Sequence, residues 1–275
     1  MNIIKKSFAL TAAMILLFGI GCSKQEKNKI IIKGSTTVLP ITQKAMEAYV
    51  KINPKSAISI DGSGSGNGIK ALIDGATDIA NSSREMKDKE IELAKSKGID
   101  VEEIAIAIDC LVPIVNPKSK VNNMTLQQLK GIYDGTIKTW DKVGGPNENI
   151  IAVSRDTSSG TFESWHEIVL KKADVRKDAQ MTASSGQVVT TVAGNPKSIG
   201  YVGFGYLNES IKPLKVNGVD ATLENGKSGK YPVSRKLYMY VNKKKISKEA
   251  RAFIDYILSA EGQVVVKQAG FIPVK

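Results

Sequence analysis

Four short stretches of this chain place serine, threonine and glycine where a helix is about to begin. They are Gly34-Ser35-Thr36-Thr37, Gly64-Ser65-Gly66-Asn67-Gly68, Ser158-Ser159-Gly160-Thr161 and Ser184-Ser185-Gly186. Each offers free backbone N–H groups, hydroxyl donors and the positive end of a helix dipole. Glycine also lets the backbone approach a ligand closely. Singly, each stretch is explained as well by ordinary helix N-capping. Jointly they point further, because turns that follow strand ends in an α/β sheet converge where such sheets bind ligands. Neutral donors plus one cation suit a dehydrated oxyanion, and Arg155, just ahead of Ser158 to Gly160, supplies the cation. Each charge-assisted bond contributes about 1.5–3 kcal/mol, and micromolar capture requires about 8 kcal/mol. Several such bonds therefore suffice.

Other chemistries find no support in the sequence. The stretch Gly62 to Gly68 matches neither the dinucleotide fingerprint nor the phosphate loop with its Lys-Ser/Thr. No G-x-S-x-G elbow occurs. The single histidine, His166, lies in an expected helix beside Trp165 without a motif and reads as structural or surface. A phosphatase or esterase would lack a nucleophile–base pair. No cluster suggests a metal, and no cofactor is expected. Cys110 falls in the apolar run Ile104 to Val115 and reads as a small buried hydrophobe. The net charge of +12 comes from lysines scattered along the chain, with Lys243-Lys244-Lys245 the longest run, and no nucleic-acid partner is expected.

The N-terminus reads as an export signal. Lys5 and Lys6 precede the uncharged apolar run Phe8 to Ile20, which is short for a permanent membrane span. Gly19-Ile20-Gly21-Cys22 resembles a lipobox, although a leucine is commoner where Gly19 stands. Residues 1–21 are thus expected to be a signal peptide, Cys22 the site of lipidation, and 22–28 a polar tether. The 254 residues that remain suffice for a sizeable core and two lobes.

The elements that must position the turns alternate between strand and helix. Strands are expected at Ile30 to Lys33, Ala57 to Ile60, Glu103 to Val115 (interrupted by Pro113), Ile151 to Ser154, Ile199 to Val202 and Leu237 to Val241. Helical spacing appears at Ile41 to Ile52, Ile69 to Asp74, Asp88 to Lys97, Thr125 to Tyr133, Thr161 to Leu170, Val188 to Ala193 and over most of Lys248 to Ala269. Asn208 to Tyr231 reads as a loop-rich surface stretch. This alternation indicates an α/β fold with parallel or mixed sheets.

At the same turns the sequence resembles the phosphate-binding component of ABC-type phosphate importers. The matching segments are GSTTVLP (Gly34 to Pro40), DGSGSGNGI (Asp61 to Ile69), DIANSSREM (Asp78 to Met86), LKGIYDGTIKTW (Leu129 to Trp140), SRDTSSGTFESW (Ser154 to Trp165) and SIGYVGFGYL (Ser198 to Leu207). The resemblance implies a two-lobed clamshell of the type II periplasmic-binding-protein kind, with two mixed sheets flanked by helices and two hinge strands. It places lobe one at 29–111 plus 238–275 and lobe two at 115–233. The hinge crossings fall at 112–114 and 234–237, with the anion between the lobes. It implies ligand contacts from Ser35, Thr36, Thr37, Ser65, Ser83, Arg155, Ser159, Gly160 and Thr161, with Asp156 orienting Arg155. Many members carry an aspartate, which accepts the proton of phosphate, where this chain has Ser83. The partners implied are inorganic phosphate, a membrane permease of an ABC importer, and the membrane through a lipid on Cys22, with the protein a monomer. The location implied is the cell envelope, at the outer face of the cytoplasmic membrane. Another oxyanion (sulfate, molybdate or tungstate) and a surface adhesion lipoprotein are the alternatives.

Overall fold

The computed structural model describes residues 29–275. The expected signal peptide, the tether and Cys22 lie outside the described residues. In chain order the elements are β1 (Lys29–Gly34), α1 (Leu39–Ile52), β2 (Ala57–Gly62), α2 (Ser65–Ile73), β3 (Ile79–Ser82), α3 (Asp88–Ser96), β4 (Val101–Val115), β5 (Asn123–Met124), α4 (Leu126–Asp134), β6 (Ile151–Arg155), α5 (Gly160–Ile168), β7 (Gln180–Thr182), α6 (Ser185–Gly194), β8 (Ser198–Gly203), β9 (Lys212–Pro213), β10 (Lys215–Val216), α7 (Leu223–Lys227), β11 (Ser234–Asn242), α8 (Lys248–Leu258) and α9 (Ala260–Gln268). Single 3-10 turns sit at Trp140–Val143 and Phe204–Tyr206.

The main sheet runs β2-β1-β3-β11-β4-β8-β6-β7, with β9 on β4. β1 is parallel to β2 and β3, and β6 is parallel to β7 and β8. β11 is antiparallel to both β3 and β4, and β4 is antiparallel to β8. The expected two mixed sheets are therefore joined by one strand. The first part of β4 pairs with β11 over Val101 to Cys110, and its last part pairs with β8 over Leu111 to Val115.

Pro113 does not interrupt β4. Its carbonyl accepts from Leu214 N at 2.9 Å, on the side away from β8. A strand residue points N–H and C=O the same way, so the N–H that proline lacks would face Leu214 at the end of the short β9 edge, and the ladder to β8 loses no bond. A register shift at Leu237/Tyr238, where Leu237 opposes Ala107 and Tyr238 opposes Ala105, leaves Ile106 as the additional residue of a bulge.

Three buried clusters support this frame. One joins β1, α1, α8 and the C-terminus through Ile30, Ile32, Ile41, Phe253, Ile254 and Phe271. The opposite face is covered by Ile69, Leu72 and Ile73 of α2 packed against Tyr238 and Tyr240. The third lies around Leu111, Tyr133, Trp165, Val188 and Tyr201. Trp165 and Tyr201 stack at 4.3 Å with their planes 1° apart, which fixes α5 against β8.

One expectation gains detail and one is corrected. Lys248 to Ala269 is two helices, because the Ser259 hydroxyl accepts from Gly262 N at 3.1 Å and starts α9 anew. Replacing Ser259 with alanine should lower stability by about 1 kcal/mol, read as a shift of the urea midpoint. Asn208 to Tyr231 is not simply surface loop. It holds β9, β10 and α7, and buries Ile211, Leu214, Val216 and Tyr231.

Candidate functional site

The four Ser/Thr/Gly turns follow the carboxyl ends of β1, β2, β6 and β7 and open or precede α1, α2, α5 and α6. Ser159 caps α5 by accepting from Phe162 N at 3.2 Å, and Ser184 caps α6 by accepting from Gln187 N at 3.2 Å. The first two helices lack a side-chain cap at their N-cap positions. In the first turn Ser35 closes the bend instead, accepting from Thr37 N at 3.1 Å and Val38 N at 3.4 Å.

Hydrogen bonds draw the turns of the two halves together. Thr37 Oγ1 and Thr161 Oγ1 are 2.8 Å apart, and Thr36 Oγ1 and Ser185 Oγ 3.3 Å. Gly66 N donates to Ser158 O at 2.9 Å. Ser65 Oγ and Ser83 Oγ are 3.3 Å apart, and Ser83 N donates to Ser65 Oγ at 3.1 Å. Two glycines make the approach possible. A Cβ on Gly160 would lie 2.4 Å from Ser65 Oγ and 2.7 Å from Ser83 Oγ; one on Gly64, at φ +101°, would lie 2.5 Å from Ser158 Oγ. Ser35, Thr36, Thr37, Ser65, Ser83, Arg155, Ser159 and Thr161 are all buried polar residues, and Gly160 is buried with them.

Arg155 ends β6 with 1% of its surface exposed. Its Nε donates to Thr182 O at 3.2 Å, Nη1 to Ser185 Oγ at 3.2 Å and Nη2 to Ala183 O at 2.9 Å. Among the described residues no carboxylate bonds it. Burial pulls its pKa below the ordinary arginine value. A guanidinium has five N–H donors and stays protonated, so a buried one with no carboxylate bonded to it favours an incoming anion. Asp156 does not orient it, contrary to expectation. The Asp156 carboxylate instead accepts from Ser158 N at 2.8 Å and from the Ser158 hydroxyl, fixing the bend before α5.

The sequence reading missed a second cation. Arg235 of β11 lies directly opposite Asp109 of β4 in the ladder. It donates to Asp109 Oδ2 from Nε at 3.2 Å and Nη2 at 2.9 Å, with the two side chains 6% and 0% exposed. Its Nη2 also reaches Thr161 Oγ1 at 2.9 Å and Thr37 Oγ1 at 3.4 Å, and its Nη1 reaches Gly160 O at 3.2 Å. Burial raises the Asp109 carboxyl against the pull of Arg235 and the Phe204 amide, and lowers the Arg235 guanidinium. Ser185, which bonds Arg155, was legible only as part of the fourth turn. Neither Arg235 nor Asp109 has a motif around it.

His166 stacks on Phe162 with ring centroids 5.8 Å apart. Cys110 is fully buried, and burial pushes its thiol up to about 12. No group of metal-ligating side chains occurs among the described residues. None of the described helices is long and apolar enough to cross a membrane.

Two mixed sheets joined by β4, with helix N-termini and buried hydroxyls gathered at the strand ends, make a type II periplasmic-binding-protein-like fold. A family model described as a PBP superfamily domain matches residues 23–261. The phosphate-binding protein PstS of Borreliella burgdorferi is 36% identical over 92% of this chain and 93% of its own length. That of Staphylococcus saprophyticus is 35% identical over 87% of this chain and 78% of its own. A phosphate ABC transporter substrate-binding protein from Clostridium perfringens, solved with bound phosphate, superposes with a TM-score of 0.85 at 36% identity, covering 90% of this chain and 100% of that one. The chain belongs to the PstS phosphate-binding family within this superfamily.

Proposed function

We propose that this protein captures inorganic phosphate in the cleft and delivers it to an ABC importer, without catalysis. The observation that carries the reading is Arg155, a buried guanidinium without a carboxylate partner, set among the hydroxyls and helix N-termini of both halves. The family membership of the chain supports phosphate as the anion. Ser35, Thr36 and Thr37 from the first turn, Ser65 and Ser83 beside them, and Arg155, Ser159, Gly160 and Thr161 from the far side form the ligand-binding set.

Lobe one is 29–111 with 238–275, and lobe two is 115–233. The crossings at 112–114 and 234–237 act as the hinge. The β4 pairing switch at Leu111 and the bulge by Leu237 favour bending there. Closure would dry the site and strengthen each bond to the anion. The protein works outside the cytoplasm as a monomer, tethered to the outer face of the cytoplasmic membrane by a lipid on Cys22. Replacing Cys22 with serine should release the protein from the membrane fraction; continued membrane association of that variant would remove the anchor from this account.

Titration calorimetry of the mature protein with phosphate tests the main reading. Saturable heat that excess sulfate leaves in place is expected. Absence of heat would overturn phosphate as the ligand, and displacement by sulfate would reassign the site to oxyanions in general.

A further inference from the structure

Arg155 and Arg235 both lie buried among the binding turns, and a count of their donors separates them. A guanidinium has five N–H groups. Arg155 commits three, to Thr182 O, Ser185 Oγ and Ala183 O, and keeps two. Arg235 commits all five. Its Nε donates to Asp109 Oδ2 at 3.2 Å, and its Nη1 donates to Gly160 O at 3.2 Å and Ser164 Oγ at 3.4 Å. Its Nη2 donates to Asp109 Oδ2 and Thr161 Oγ1, each at 2.9 Å, with Thr37 Oγ1 further off at 3.4 Å. Arg235 therefore has no donor left for an anion.

The groups it holds are those of the proposed ligand-binding set. Thr37 belongs to the first turn, and Gly160 and Thr161 begin α5. Ser164 passes the connection on by donating to Ser83 O at 3.4 Å. Asp109 extends it through its other oxygen: Oδ1 accepts from Phe204 N at 2.8 Å, in the turn whose Tyr206 hydroxyl donates to Thr36 O. The fit leaves no room for a side chain between these parts. A Cβ on Gly203 would lie 2.7 Å from Thr37 Cγ2 and 2.8 Å from Asp109 Oδ2.

We propose that Asp109 and Arg235 form one positioning unit for the anion site, setting the first turn and the start of α5 at the spacing the ligand requires without touching the ligand. This inference rests on the phosphate reading above. The pair is neutral as a whole, so its contribution is geometric: a planar fork that reaches several partners in fixed directions. Lysine keeps the charge, but its single nitrogen with three donors cannot span the same partners.

The test measures phosphate affinity of the full mature chain by calorimetry and its dissociation rate by stopped-flow. R235K keeps the ion pair, and D109N/R235Q leaves no member of the pair charged and unpaired, so both are expected to fold; thermal melting checks this, and either variant decides without the other. R235K should bind phosphate about tenfold more weakly, mostly through faster dissociation, although no charge is lost. The double variant should be weakened about as much, although one positive and one negative charge leave together. Wild-type affinity in R235K would mean that charge alone matters, and wild-type affinity in the double variant that the two charges merely cancel; either result overturns the proposal. D109N separates positioning from contact. It removes a negative charge beside the anion and frees Arg235 donors, so an Arg235 that bound the anion would then hold it more tightly, whereas a fork without its seat should hold it more weakly. Tighter binding by D109N overturns the proposal. Absence of phosphate binding by the wild type would instead sink the functional reading beneath it.

Discussion

Replacing Arg155 with methionine should weaken phosphate binding by about two to three orders of magnitude, measured by calorimetry or equilibrium dialysis. The side chain keeps an apolar stem of similar reach and loses the charge. An ion pair with a fork-shaped guanidinium supplies two charge-assisted bonds of about 1.5–3 kcal/mol each. In the free protein the variant also no longer buries a cation that has no bonded carboxylate. The same variant should therefore melt at or above the wild-type temperature. A variant with unchanged affinity would remove Arg155 from the site. A large fall in melting temperature would mean that its three bonds to Thr182, Ala183 and Ser185 serve the fold more than the ligand.

The second large effect is expected from Gly160→Ala. The new methyl would lie 2.4 Å from Ser65 Oγ and 2.7 Å from Ser83 Oγ. On the proposed lobe division these contacts cross the cleft, so an open protein escapes them. The folded state should keep its stability while closure loses about 1–3 kcal/mol to overpacking. Phosphate affinity should then fall about tenfold to a hundredfold, with most of the change in dissociation rate, read by stopped-flow. Wild-type affinity would mean that Ser65 and Ser83 step aside cheaply. Lowered stability with unchanged affinity would place the clash inside one half of the molecule rather than across the cleft.

What the sequence disclosed follows from how locally each feature is encoded. Serine, threonine and glycine before a helix are a local signal, and all four turns do sit at strand ends and meet one another. Arg155 was legible because it stands in the same short segment as one of them. Arg235 and Asp109 are 126 residues apart in sequence and meet only through the β4–β11 register, which no local pattern specifies. The role expected of Asp156 failed for a related reason. A carboxylate two residues before a serine takes its amide and hydroxyl first, since those donors are already in place. Pro113 was read by its usual effect on a strand, but its missing donor faces the two-residue β9 edge and not the β8 ladder. The buried anchors of Asn208 to Tyr231 were hidden among glycines and lysines, where periodicity carries no information.

The position of β11 bears on the order in which the molecule can assemble. Within its half of the sheet it is an interior strand, hydrogen-bonded to β3 on one side and β4 on the other. It is also the last strand in the chain. A nascent chain that has emerged only as far as β8 possesses β1 to β4 but not the strand that joins β3 to β4, and two strand edges remain open until Ser234–Asn242 arrives. The segment between β4 and β11 suffers no such delay, because β8, β6 and β7 are contiguous in synthesis. The half that contains both ends of the described chain must wait for roughly its final third, and long-range pairing of this kind slows folding. On the export proposed above, that delay keeps the polypeptide unfinished, and threadable, until synthesis is nearly complete.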